Sequence, residues 1–343
     1  MAIERVFSQS VPDEVRYLTS LRPQRLEECI GQEVAREQLR IALDAACKRG
    51  EPLDHVLLDG PPGLGKTTLA HVIANEMRAT IRVTSGPAIA RQGDLMMMLT
   101  QSDTGDVLFI DEIHRLAKIV EEFLYPALED FRVDYTTESG IGGRTVNFAL
   151  KRFTLVGATT RAGMLSAALR DRFGLFFHLQ YYTQDELVRI VERNAQLLKI
   201  KADRPALRRL ASRSRGTPRI VNRLLRRVRD YADVRGDGTL TPDVVDAALN
   251  ILQIDTFGLD NLDRGYLIAL IKHYDGGPAG IEAIAATMGH ERDTLEDVVE
   301  PYLLQIGFVI RTPRGRVARP TAYEHLGFAL PRGAKDEPML FEP

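Results

Sequence analysis

The chain has 343 residues, of which 44% are hydrophobic and 27% charged, with a formal net charge of −2. That length exceeds one compact core and suits two or three domains of an ordinary globular protein. Its apolar runs fall far short of a membrane span, and the start Ile3-Glu4-Arg5 has no signal-peptide character. Cys29 and Cys47 lack metal-ligand spacing and read as buried, reduced thiols of a cytoplasmic protein.

From about residue 20 to 180 strands alternate with helices, the signature of a parallel sheet covered on both faces. His55-Val56-Leu57-Leu58-Asp59 predicts a short buried strand, followed by Gly60-Pro61-Pro62-Gly63-Leu64-Gly65-Lys66-Thr67, which fits G-x-x-x-x-G-K-[ST] in full. Leu69, Val72, Ile73 and Met77 then recur at helical spacing. Such a strand–loop–helix unit aims successive backbone N–H groups and a helix dipole at one phosphate. Lys66 supplies charge to the β- and γ-phosphates and Thr67 a hydroxyl to Mg²⁺, so the chain is expected to bind a nucleoside triphosphate. Met96, Met97 and Met98 read as core packing on a helix.

A second buried strand, Val107-Leu108-Phe109-Ile110, ends in Asp111-Glu112. After a phosphate loop, that pair suits Mg²⁺ coordination by Asp111 and activation of the attacking water by Glu112. His114 beside it reads as a structural, hydrogen-bonding histidine. Residues 132–150 suggest a protruding hairpin, with Ile141 at its tip and Phe148 on its flank. Phe153-Thr154-Leu155-Val156-Gly157 predicts a third buried strand.

From Thr183 the pattern turns helical. Thr183-Gln184-Asp185-Glu186 is a capping box, and three further helices carry Leu207 and Leu210, Val221 to Val228, and a start at Thr241-Pro242. Between Arg204 and Arg235 stand eleven arginines against two acids, Asp230 and Asp233. The apolar residues of the helix after Pro218 share one face, so its arginines project outward, onto a solvated or inter-subunit surface rather than a DNA groove. Helices over Leu262–His273, Ile281–Met288 and Thr294–Leu304, then the hairpin Phe308–Arg319, predict a winged helix. Arg311, Arg314 and Arg316 around the hairpin turn, with Arg292 nearby, are candidates for sequence-independent contact with DNA phosphates.

The order of phosphate loop, Asp111-Glu112-Ile113-His114, Gly157-Ala158-Thr159-Thr160-Arg161, Leu169-Arg170-Asp171-Arg172-Phe173-Gly174 and Gly216-Thr217-Pro218-Arg219 resembles the AAA+ ATPases. More closely, it is similar to the RuvB family of Holliday-junction branch-migration motors, from Leu21-Arg22-Pro23 to the C-terminal hairpin. The resemblance implies an α/β AAA+ P-loop domain over 1–182, a small all-α lid over 183–254 and a winged-helix DNA-binding head over 255–343. It implies that Gly63, Gly65, Lys66, Thr67 and Thr68 cradle phosphate, and that Leu21, Arg22, Ile30 and Tyr182 surround adenine. Thr160 matches the sensor that reads the γ-phosphate, ahead of Thr159. Arg172 matches the arginine finger supplied to a neighbouring subunit, with Arg170 as its rival, and Arg219 matches the lid's own sensor arginine. ATP and Mg²⁺ as cofactors, a homohexamer, junction duplex DNA, RuvA bound through the 132–150 hairpin, and RuvC as a further partner complete the implied set. Two other readings stay open at this level: an AAA+ DNA-binding initiator or switch, and a protein remodeller. Turnover stimulated by duplex DNA separates the motor from both.

Overall fold

The structure, a computed structural model, describes residues 20–136 and 145–330. Its chain forms two compact units: one runs to Leu197 and takes in Thr217–Asn222, and the other holds Leu198–Gly216 and everything from Arg223.

The first unit is built on helix α1 (Glu33–Arg49), β1 (Val56–Asp59), α2 (Lys66–Glu76), β2 (Ile81–Ser85), α3 (Gln92–Thr100), β3 (Val107–Asp111), α4 (Lys118–Glu129), the hairpin β4 (Arg132–Thr136) and β5 (Thr145–Ala149), β6 (Thr154–Thr159), α5 (Ala167–Arg170), β7 (Leu175–His178) and α6 (Gln184–Leu197). Five parallel strands lie in the order β2-β3-β6-β1-β7. Side chains alternate across a strand, and the sheet is buried on both faces. Val56 and Leu58 of β1 therefore join a core with Leu39, Leu43, Ala70 and Ile73, while Leu57 joins Leu95, Leu124 and Ile110 on the other side. Both faces are apolar because both carry helices.

The three strands expected from the sequence are the middle ones. β2 and β7 went unread, and they are the half-exposed edges: β2 has no fully buried residue, and Phe176 of β7 is exposed. Met96 and Met98 pack against the second core, but Met97 is 56% exposed, which corrects its assignment to the core. Cys47 is likewise exposed rather than buried. The hairpin pairs Arg132 with Ala149 and Val133 with Phe148; Ile141 lies outside the described residues.

The second unit contains β8 (Lys201–Ala202), α7 (Arg204–Ser212), most of α8 (Pro218–Arg235), β9 (Thr239–Leu240) and α9 (Pro242–Ile251). Beyond the expected helices, β8 and β9 form a two-residue parallel pair. Leu207, Leu210, Leu224, Leu225, Val228, Val245 and Leu249 are all buried, as their one-face spacing requires. There follow α10 (Asn261–His273), α11 (Ile281–Met288), α12 (Arg292–Thr294), a π-turn over Leu295–Val299, α13 (Glu300–Gln305), β10 (Val309–Thr312), β11 (Gly315–Ala318) and α14 (Pro320–Leu326). β10 and β11 are antiparallel, closed by Pro313-Arg314. Tyr266, Leu267, Ile284, Leu295, Val299 and Phe308 form this region's core.

Candidate active site

In a parallel sheet the loops that leave the carboxyl ends of neighbouring strands converge, and β1, β3 and β6 are adjacent. The phosphate loop follows β1, Asp111-Glu112 closes β3, and Thr160 follows β6. A cleft of roughly 270 Å³ is lined by Gly63, Gly65, Lys66, Thr67, Thr68, Asp111, Glu112 and Thr160. Leu21, Arg22, Ile30, Tyr182 and Arg219 line the same cleft. Every residue expected at the nucleotide from the sequence, except Arg172, is thus gathered in one place.

The loop has the backbone it needs. Gly63 stands at φ +83°, and a Cβ there would lie 3.1 Å from the Cβ of Arg219, so glycine permits both the turn and the close approach of Arg219. Arg219 donates its backbone N–H to the Gly63 carbonyl at 3.4 Å. Lys66 opens α2 and is 7% exposed; its Nζ donates to the carbonyls of Gly60 at 2.5 Å and Pro61 at 3.0 Å. Burial pulls its ammonium below the usual lysine value, against the opposing pull of Glu112, Asp111 and Asp59. A buried cation held by weak carbonyl acceptors beside two carboxylates fits a polyanion that has Mg²⁺ attached. The hydroxyl of Thr67 and the carboxylate of Asp111 are hard oxygen donors of the kind that cation takes.

Glu112 adopts the left-handed backbone conformation, φ +48°, uncommon for a residue with a Cβ. Its Oε2 accepts from the Thr160 hydroxyl at 3.2 Å and lies 3.3 Å from Nδ1 of His114. That same Nδ1 is 2.9 Å from the Thr159 hydroxyl, which in turn accepts from the Arg161 N–H at 3.0 Å. His114 is therefore hydrogen-bonded, as expected, but one of the groups it touches is the candidate base. Thr160 faces the cleft while Thr159 is fully buried, which favours Thr160 as the γ-phosphate sensor.

At the apolar end of the cleft, the Tyr182 hydroxyl donates to the Leu64 carbonyl at 3.2 Å, and burial pushes its phenol up to about 12. A Cβ on Gly31 would come within 2.7 Å of the Tyr182 ring, so Gly31 is required for the ring to lie there. Burial first, then the charge of Arg219, hold Arg22 below the usual arginine value. Arg36, Arg193, Asn194 and Asn222 also line the cleft and were not expected. Asn194, 2% exposed, donates to Asn222 at 2.7 Å, and Arg193 Nη1 donates to the Leu21 carbonyl at 3.1 Å. Polar residues on an amphipathic helix face carry no local sign of such a role.

Arg172 is not among the residues lining this cleft. Its Nη2 is 2.8 Å from Oε2 of Glu129 and its Nη1 donates to the Ala168 carbonyl at 2.6 Å. An arginine that serves a neighbour's nucleotide has no reason to reach its own.

The winged region alters the reading of its arginines. Arg311 and Arg316 are cross-strand partners, and both guanidiniums turn onto the fully buried carboxylate of Glu300, at 2.6 Å and 2.8 Å. Tyr266 donates to the same carboxylate at 2.7 Å. Arg316 is only 15% exposed and also meets Glu296. Burying a carboxylate demands paired cations, and these two supply them, so Arg311 and Arg316 hold the hairpin together whatever else they contact. Arg292 pairs with Glu282 and Glu296, whereas Arg314 is exposed at the turn.

Three family profiles match the chain in succession. They are the Holliday junction DNA helicase RuvB P-loop domain over residues 21–179, the RuvB AAA lid domain over 182–255 and the RuvB C-terminal winged helix domain over 256–327. The solved Thermotoga maritima RuvB Holliday junction branch migration motor is 51% identical, with a TM-score of 0.84 over 91% of this chain and 100% of that one. A lysine-to-arginine variant of the Thermotoga maritima protein matches with 51% identity and a TM-score of 0.85, over 91% of this chain and 99% of its own. With matches of that extent in all three regions, the chain belongs to the RuvB family of Holliday junction DNA helicases.

Proposed function

We propose that the protein is an ATP-driven motor that moves the branch point of Holliday junctions in recombination and repair, working as a hexameric ring with RuvA. The observation that supports it most is the convergence of Lys66, Asp111, Glu112, Thr160 and Arg219 on one cleft, in a chain that also carries a winged helix. Functional boundaries at 182/183 and 254/255, a cytoplasmic setting, docking of RuvA on the β4–β5 hairpin and an association with RuvC belong to the same proposal. No helix among the described residues is long and apolar enough to cross a membrane.

In this reading Lys66 and the backbone N–H groups of the loop hold the β- and γ-phosphates, and Thr67 and Asp111 hold Mg²⁺. The cation, when bound, neutralises charge on the transferring phosphoryl group. Glu112 takes the proton of the attacking water. Thr160, hydrogen-bonded to Glu112, reports the γ-phosphate to that base, so loss of the phosphate changes both groups at once. Arg219 contacts phosphate from its own subunit and Arg172 from the next, where it opposes the charge that develops in transfer. Work follows because these two arginines meet different charge before and after hydrolysis.

The experiment is ATP-driven dissociation of a synthetic four-way junction, with and without RuvA, by wild type and Glu112→Gln. Wild-type activity should depend on ATP, rise with RuvA and vanish in the variant, which keeps the shape of Glu112 but not its basicity and should retain ATP. Duplex DNA that fails to stimulate wild-type turnover would sink the motor reading. Near-normal turnover by Glu112→Gln would sink the assignment of the base.

A further inference from the structure

Helix α4 carries Glu121, Tyr125 and Glu129 four residues apart, so the three side chains share one stripe along the helix. The segment that ends in Arg172 is bound along that stripe. At one end, Glu121 accepts from the hydroxyls of Tyr125, at 2.8 Å, and Ser166. Ser166 caps α5 by accepting from the Leu169 N–H at 3.0 Å. One turn along, the guanidinium carbon of Arg172 stands 4.5 Å from the centre of the Tyr125 ring. At the far end Glu129 takes Nη2 of Arg172, while the Ala168 carbonyl takes Nη1. The Arg172 side chain is 24% exposed, and its buried Nε has no hydrogen-bond partner among the described residues.

An exposed arginine–glutamate pair by itself contributes little. Here an ion pair, a ring face and a backbone acceptor converge on one guanidinium, two of them from the same stripe that also fixes the start of α5. Arginine otherwise samples many rotamers, and a finger that must find one geometry in another subunit loses rate to that search. A guanidinium has five N–H groups, so the contacts to Glu129 and Ala168 leave further donors for a phosphate.

We propose that Glu129 and Tyr125 are positioning residues for Arg172: the stripe on α4 holds the guanidinium in the pose from which it is delivered to the neighbouring nucleotide. The inference rests on the reading of Arg172 as a finger acting in trans.

The test measures steady-state ATPase of the full chain with DNA, for Glu129→Gln, Tyr125→Leu and Tyr125→Phe, after ring assembly has been verified. Glu129→Gln and Tyr125→Leu should lower kcat by about three- to ten-fold with KM within twofold, since only the transition state is affected. Tyr125→Phe keeps the ring face and should stay near wild type. In an Arg172→Ala background Glu129→Gln should add nothing. In rings that mix Glu129→Gln with Lys66→Ala subunits, a Glu129→Gln nucleotide site served by a neighbour's intact finger should turn over at the wild-type rate per site. Unchanged kcat in Glu129→Gln, a defect that adds to Arg172→Ala, or a defect that persists beside an intact neighbouring finger would each overturn the proposal. If Arg172→Ala itself left turnover unchanged, the finger reading would fail first and this inference with it.

Discussion

Glu300→Gln isolates what the buried carboxylate does for the winged region. The carboxylate is fully buried and receives the Tyr266 hydroxyl, Nε and Nη2 of Arg311, and Nε and Nη2 of Arg316. Glutamine keeps the volume and one acceptor oxygen but leaves two guanidiniums facing each other across a hairpin, with only Glu296, 3.4 Å from Arg316, to offset their charge. Breaking a buried ion pair by removing one partner costs roughly 3–5 kcal/mol. Arg311 is half exposed and can turn to solvent, so the loss should sit near the lower figure, about 3 kcal/mol. At about 1.4 kcal/mol per factor of ten, opening of the hairpin should become about a hundred times more frequent. Hydrogen-exchange mass spectrometry on peptides that span 306–319 reads this directly, and it suits a chain with no tryptophan to report unfolding. Exchange there within twofold of wild type would refute the clamp.

The same site gives a sign for acid. Burial opposes ionisation of Glu300, but hydrogen bonds from Arg316, Tyr266 and Arg311 outweigh it and hold the carboxyl below the ordinary glutamate value. A depressed folded value means the stabilisation is present above the unfolded pKa, about 4.3, and is lost as pH falls through the folded one. Glutamine resembles the protonated acid. The gap between wild type and variant in urea titrations should therefore be full at pH 7 and narrow below about pH 4.

Other outcomes are checked more briefly. Arg314→Ala should reduce the log–log salt dependence of duplex binding by about 0.9, one phosphate's share, and weaken binding alike on unrelated sequences; an unchanged slope in filter or anisotropy titrations would move the DNA path elsewhere. Iodoacetamide at pH 8 should label Cys47, which is exposed, well before Cys29, whose thiol burial pushes up to about 11, and peptide mass spectrometry should show that order.

The nucleotide site was legible because its chemistry is written in contiguous residues. A loop that must wrap phosphate needs its glycines, lysine and threonine in sequence, and the acids close β3, separated from β1 by β6 alone. Thr160 and Arg219 follow only from the family resemblance, through the short motifs that carry it. Gly31, Arg193, Asn194 and Asn222 were not legible, because they reach the cleft from segments up to 191 positions apart and show no local period. Edge strand β2 is hard to read for a related reason: half-exposed, it lacks the unbroken apolar run that marks β1, β3 and β6, whereas β7 carries such a run in Leu175-Phe176-Phe177.

The wing shows the limit most clearly, since counting charge there is not the same as finding available charge. Arg311, Arg314 and Arg316 form a basic cluster with no acid between them, and Glu300 lies eleven residues upstream, in a run that resembles a solvated helix face. Antiparallel pairing sets Arg311 opposite Arg316 and leaves Arg314 at the turn. Two like charges directly opposite each other are unfavourable unless something neutralises them, and α13 brings Glu300 to that point. One of the three guanidiniums is thereby left to the turn, while the other two fix the hairpin that presents it.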